Sequence, residues 1–254
     1  MRQGYYRVES VRETAPNIHV LTLHAPEIAR SVRAGQFLNI KTRDYFIPLL
    51  RRPFSVYHRD GDHLQIIFNV VGLGTRVLAS GSQGEPLDII GPLGNSFGVK
   101  GDYDEAVLVA GGLGVAPMPV LTAELKKEGK PVHTFLGART ASQIVRQHLE
   151  NISVATDDGS AGHRGTVVDL LRSRLPGLPE RSRKIFACGP TPMLRALSAF
   201  AREFSVPCEV SLEGPMACGI GICQGCPVEM KQGPNKYALV CKDGTVFDSN
   251  NVVL

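Results

Sequence analysis

Tryptophan is absent from this chain and aromatic residues make up only 6% of it. The formal net charge is a mild +4. Basic residues come as scattered pairs, Arg51-Arg52 and Lys126-Lys127, without the clustered basic face or interleaved aromatics of a nucleic-acid binder, so nucleic acid is not an expected partner. No segment reaches the ~18 consecutive apolar residues of a membrane span, and Met1 to Tyr6 leads into a strand pattern without a signal-peptide core. The expected setting is therefore cytoplasmic, with no membrane contact and with thiols kept reduced. The seven histidines include no i, i+4 pair that would suggest a metal or base site on a helix. There is no internal repeat and no low-complexity stretch.

What the chain does have is a cysteine pattern. Cys218, Cys223 and Cys226 stand at C-x4-C-x2-C spacing, with Cys241 following after fourteen residues. This is the plant-type signature for a 2Fe-2S cluster. Gly219, Gly221 and Gly225 supply the backbone freedom a loop needs to wrap an inorganic core. Zinc sites usually pair ligands as two short knuckles, and here only Cys223 and Cys226 have that spacing. A zinc staple or a set of structural thiols remains the alternative.

The second half of the sequence alternates strands and helices. Ala106 to Ala110 is a continuous apolar run, as expected for a parallel strand buried on both faces. It enters Gly111-Gly112-Leu113-Gly114-Val115-Ala116-Pro117, a glycine turn opening a helix from Met118 to Glu128, where free amides can receive a pyrophosphate. Further strands are expected at Val132 to Leu136, Ile152 to Ala155, Lys184 to Ala187 and Cys208 to Leu212. Helices are expected near Ser142 to Leu149, Val167 to Leu175 and Pro192 to Phe204. Together these predict a doubly wound α/β domain whose ligand edge carries the 111–114 turn, Arg139, Asp157-Asp158-Gly159-Ser160 and Cys188-Gly189-Pro190. Asp157 and Asp158 also suit a plain turn, and Cys208 reads as a small buried hydrophobe.

The first hundred residues instead show short strands with period-two alternation, Gly and Pro turns and one short helix after Gly74, the pattern of an antiparallel β-barrel. Within it stand Arg51-Arg52-Pro53-Phe54-Ser55 and Gly72-Leu73-Gly74-Thr75. An arginine can clamp a phosphate, a serine can reach a flavin edge and a Gly-Thr helix start can take further phosphate oxygens.

These elements, in this order, resemble the ferredoxin-NADP reductase superfamily, in which a barrel holds FAD and an α/β domain holds the nicotinamide nucleotide. With Thr156-Asp157-Asp158-Gly159-Ser160, Cys188-Gly189-Pro190-Thr191-Pro192-Met193 and Met216-Ala217-Cys218-Gly219-Ile220-Gly221-Ile222-Cys223, the chain is similar, more narrowly, to the family of electron-transfer subunits of NAD-dependent dihydroorotate dehydrogenases. The resemblance implies FAD contacts at Arg52, Pro53, Phe54, Ser55, Ile67, Phe68, Asn69, Gly74 and Thr75, with Ser55 at the flavin edge and no acid or base residue required. It implies NAD contacts at Gly112, Gly114, Pro117, Cys188, Gly189 and Pro190, and cluster ligation by Cys218, Cys223, Cys226 and Cys241. Phe54 departs from the superfamily, where tyrosine is usual, and keeps the apolar contact while losing a hydroxyl.

The implied domains are residues 1–101 for FAD, 102–212 for NAD and 213–254 for the cluster. The implied role is to pass electrons from an FMN-containing dihydroorotate dehydrogenase subunit through the 2Fe-2S cluster and FAD to NAD+ in pyrimidine biosynthesis, as a heterotetramer of two of each chain. An NADH-linked ferredoxin or sulfide-linked NADP oxidoreductase subunit is the second reading, and a zinc-stapled binding protein the third. Arg139 leaves the choice between NAD and NADP open. Because the barrel motifs are remote in sequence from the cysteines, loss of the cluster is expected to leave FAD binding unaffected.

Overall fold

A computed structural model describes residues 1–43, 47–175 and 182–254. Strands β1 (Arg2–Ala15), β2 (Ile18–His24), β3 (Phe37–Lys41), β4 (Arg52–Asp60), β5 (His63–Asn69) and β6 (Pro86–Leu93) close an antiparallel barrel in the order β1-β2-β5-β4-β3-β6. Two short helices, α1 (Pro26–Ala29) and α2 (Leu73–Ala79), lie between strands. Period-two alternation sets the two faces of each strand: Leu38 and Ile40 are fully buried in the barrel core, while Phe37 and Asn39 point the other way along β3.

The α/β domain contains β7 (Glu105–Gly111), α3 (Met118–Lys127), β8 (Val132–Ala138), β9 (Ile152–Thr156), β10 (His163–Arg164), α4 (Val167–Arg174), β11 (Arg183–Cys188), α5 (Thr191–Glu203) and β12 (Cys208–Ser211). The C-terminal segment adds a hairpin, β13 (Pro227–Glu229) with β14 (Tyr237–Leu239), and then β15 (Val246–Asp248). The sheet order is β10-β9-β8-β7-β11-β12-β15, parallel except for β15 against β12. Winding therefore reverses between β7 and β11, the point where doubly wound sheets open a crevice for ligands. The apolar run of β7 is divided by its own pleat. Ala106, Leu108 and Ala110 face the core shared with the barrel and α3, whereas Val107 and Val109 face α4 and α5.

Glu124 of α3 bolts the two domains together. Its Oε1 accepts from the guanidinium of Arg59 at 3.2 Å and the amide of Ala34 at 3.4 Å, both on the barrel. Burial pushes the Glu124 carboxyl up, and these two donors only partly oppose that.

One expectation needs correction. No helix forms over Ser142 to Leu149: a 3-10 turn at Ala141–Gln143 gives way to irregular chain. There the segment lies against the barrel, burying Val145 and stacking His148 on His58 with ring centroids 3.7 Å apart. The left-handed φ of +62° at His148 is incompatible with a continuing helix. The cysteine segment packs on both preceding domains. Strand β15 extends the α/β sheet, Thr245 Oγ1 donates to the Gly35 carbonyl at 2.6 Å, and Asn95 exchanges two hydrogen bonds of 2.8 Å with the Val246 backbone. Phe37 and Leu93 of the barrel share one core with Cys226, Val240 and Cys241.

Candidate functional site: two grooves and a thiol loop

The first groove, of about 370 Å³, runs over β4 and β5. Its walls are apolar at Phe37, Phe54, Ile67, Phe68, Leu212 and Met216, the lining a planar ring system needs, and polar atoms stand at its edge on Ser55, Asn69 and Thr245. Phe54 meets Phe68 edge-on, with centroids 5.7 Å apart. The Oδ1 of Asn69 is buried and has no hydrogen-bond partner, an acceptor left open beside the groove. Arg51 is held by Asp88 and Arg59 by Glu124, but Arg52 has no carboxylate partner among the described residues and donates only to the carbonyls of Leu50, at 2.6 Å, and Arg51. A cation without a counterion in a groove suits a phosphate. Gly74 lies directly under it, and a Cβ there would approach Arg52 Nε to 3.2 Å. Thr75 Oγ1 accepts from the amides of Val71, at 2.9 Å, and Gly72, so it shapes the turn that presents Gly74. The residues present fit a flavin dinucleotide.

The second groove, of about 590 Å³, lies beyond the carboxyl ends of β7, β8, β9 and β11. Gly111, Gly112, Arg139, Asp157 and Pro190 line it. Asp158 is used locally instead, accepting from the Ser160 amide at 2.9 Å and its hydroxyl at 2.6 Å, and these two bonds hold its carboxyl below the usual range. The two grooves share Asn69 and Leu113, so they meet at that point.

The glycines of the turn do different jobs. Gly112 has φ +54° with open space around its Cα and borders the groove. Gly114 and Pro117 are buried away from it. A Cβ on Gly114 would lie 2.0 Å from the Cys188 carbonyl oxygen and 2.7 Å from Gly189 Cα, so the close approach made there is to β11 rather than to a ligand. Cys188 itself is buried in the sheet and lines neither groove, and burial pushes its thiol far up. The sheet thus brings Pro190 to the groove, while Cys188 and Gly189 stand behind it.

The thiols form two pairs. Cys226 and Cys241 are buried with Sγ atoms 3.2 Å apart, and Cys226 Sγ accepts the Cys241 amide at 3.5 Å. Cys218 Sγ accepts the amides of Cys223 at 3.4 Å and Ile220 at 3.5 Å. Against the effect of desolvation, these amides draw the Cys218 thiol down to about 6; burial and the neighbouring Cys226 push Cys241 up to about 12. Among the described residues no three His, Cys, Asp or Glu side chains converge on one point as a single-ion site requires. Sulfurs in two pairs suit a two-iron core with two thiolates per iron.

Of the residues from position 212 onward that line the flavin groove, Leu212, Glu213, Gly214 and Thr245 carry no motif, whereas Met216 opens the run that leads into Cys218. Glu213 stands at the groove mouth, still open to solvent, yet neighbouring atoms crowd its carboxyl enough to push it above the usual range. The sequence signal for residues 212–216 is their adjacency to Cys218, and Thr245, well beyond it in the chain, has none.

The family model for the iron-sulfur cluster binding domain of dihydroorotate dehydrogenase B matches residues 213–253, and that for the oxidoreductase NAD-binding domain matches residues 108–199. Two curated relatives are each named dihydroorotate dehydrogenase B (NAD(+)), electron transfer subunit. That of Desulforamulus reducens is 36% identical with 97% of each chain covered, and that of Lysinibacillus sphaericus is 37% identical with 100% of each covered. Among solved structures, a chain of an NADH-dependent reduced ferredoxin-NADP oxidoreductase superposes with TM-score 0.88 at 29% identity, covering 98% of this chain and 90% of that one. Phthalate dioxygenase reductase shares the fold, with TM-score 0.67 at 16% identity, covering 91% of this chain and 87% of that one.

Proposed function

This chain belongs to the electron-transfer subunits of NAD-dependent dihydroorotate dehydrogenase B, and from that premise we propose how its residues divide the work. The chain is an oxidoreductase subunit that uses FAD, a 2Fe-2S cluster and NAD and serves a separate catalytic subunit. A nicotinamide exchanges hydride and a cluster single electrons, and flavin supplies the one group that can do both. Arg52, with Gly74 leaving room beside it, would neutralise the FAD pyrophosphate. Phe54, Ile67 and Phe68 would exclude water from the ring, and Ser55 and Asn69 would hydrogen-bond its edge. Gly112, Arg139 and Pro190 would border the nucleotide. Cys218 and Cys223 would ligate one iron, Cys226 and Cys241 the other.

The observation that carries this reading is the meeting of the two grooves at Asn69 and Leu113. Two planar ligands seated in these grooves would come into contact with neither an acid nor a base at the shared residues, and proximity of that kind supplies much of what a direct hydride transfer requires. The partner is read as the FMN-containing subunit that oxidises dihydroorotate, in a heterotetramer of two of each chain. It would dock over the exposed side of the cluster loop, where Cys223 and Ile222 reach solvent. The assignment of the phosphate clamp is tested by Arg52→Ala. A charge-assisted contact is worth about 1.5–3 kcal/mol, so FAD affinity should fall on the order of ten- to a hundredfold in a fluorescence titration; unchanged affinity would remove Arg52 from the site.

A further inference from the structure

Asn39 is 1% exposed, yet it faces away from the barrel core. Its Nδ2 donates to the carbonyl of Cys218 at 2.9 Å. The contact is close on every side: Gly219 has φ +72°, and a Cβ there would sit 2.5 Å from that nitrogen. The amide therefore packs tightly against the Cys218–Gly219 segment, and Oδ1 is left buried without a partner. An amide buried with half its hydrogen-bonding capacity unused is costly, and an apolar residue would fill the position at lower cost. The donor must matter more than the packing.

Its place in the fold indicates why. Along β3, Asn39 is two residues from Phe37, on the same face, and Phe37 lines the flavin groove. Across the strand pair, Asn39 stands opposite Pro53 and Phe37 opposite Ser55, and both partners line that groove. One strand face thus carries the groove wall at one position and the first cysteine of the thiol loop at the next. The same loop turn aims the amides of Ile220 and Cys223 at Cys218 Sγ, so the orientation of the peptide that Asn39 grips governs how those donors meet the sulfur. Hydrogen bonds to cluster sulfurs are a principal control on cluster potential.

We propose that Asn39 is a positioning residue for electron exchange: through Nδ2 it holds the Cys218 peptide, and so sets the potential of the cluster and its placement against the flavin groove. This deepens the proposed function and rests on the four cysteines holding a cluster. Asn39→Leu keeps the branched heavy-atom skeleton, with somewhat more bulk, and removes the donor. It is compared with Asn95→Ala, which cuts the 2.8 Å bonds tying Val246 to the barrel and the 3.2 Å bond to the Asp243 carbonyl but removes no hydrogen bond to a cysteine. Iron and sulfide per FAD, the electron paramagnetic resonance spectrum of the reduced cluster and its midpoint potential are read in both variants.

The expected result in Asn39→Leu is either retained cluster with altered g-values and an equilibrium with the flavin shifted about three- to tenfold, or selective loss of iron with FAD kept. Asn95→Ala should keep the native spectrum and potential. The proposal is overturned if Asn39→Leu has native g-values and potential, if Asn95→Ala shifts them equally, or if Asn39→Leu loses iron and FAD together. Should the leucine variant not accumulate, Asn39→Ser, which shortens the side chain without adding bulk, is judged by the same criteria. Absence of iron from the unmutated protein would instead refute the cluster reading itself.

Discussion

Cys226→Ser should abolish dihydroorotate-to-NAD+ electron transfer in the reconstituted complex while leaving NADH-to-dye turnover largely in place. Cys226 is buried, with its sulfur 3.2 Å from that of Cys241, and a serine hydroxyl is a poor iron ligand at that position. Even an outer-shell change costs metal sites about 10–100-fold, so loss of a ligand should reduce transfer on the order of a hundredfold or more. Reduction of a two-electron dye needs only the two grooves, and neither contains a cysteine ligand. The sequence alone led to the expectation that FAD would be unaffected. The fold changes that expectation, because Met216 and Thr245 wall the flavin groove from the same segment that carries the cysteines. A moderate fall in FAD affinity should therefore accompany the lost cluster, with the contacts proposed for Arg52 and Ser55 still in place. Full transfer by the Cys226 variant would take the cluster off the path.

Gly114→Val should abolish NADH-dependent reduction, for a reason different from the one the glycine motif suggests. The added Cβ would fall 2.0 Å from the Cys188 carbonyl, and the atoms in its way are backbone on both sides, so the β7 turn must move from β11. Overpacking of a rigid contact costs about 1–3 kcal/mol and more where backbone blocks it, so the melting temperature should drop as activity is lost. Gly112→Ala provides the contrast. Its Cβ meets nothing within 4 Å, and a φ of +54° costs a non-glycine residue about 1 kcal/mol. Stability should change little while KM for NADH rises, because the methyl projects beside the nucleotide groove. Thermal melts and steady-state assays on both variants separate the roles. Equal melting temperatures for Gly114→Val and the unmutated protein would refute the packing account.

The contrast between these two glycines shows what could be read before the fold. The order and type of the strands, the turn at 111–117 and the cysteine spacing are local features, and each is written in a few adjacent residues. Which glycine borders the groove and which packs against β11 depends on a strand some seventy residues further on. The 139–151 connection shows the same limit: its apolar spacing suits a helix, yet docking of Val145 and His148 on the barrel overrides local propensity. Asn39 and Glu213 carry no motif, and their significance comes only from the thiol loop and the groove they meet in space.

The most direct test is anaerobic NAD+ reduction by dihydroorotate, with this chain purified alone, its catalytic partner alone, and the two together, while flavin and cluster absorbance are followed. The account expects the purified chain to show both flavin and iron-sulfur bands, and NADH to form only when both chains are present. A chain with neither flavin nor iron, or NADH formation by the catalytic subunit alone at the rate of the complex, would contradict it.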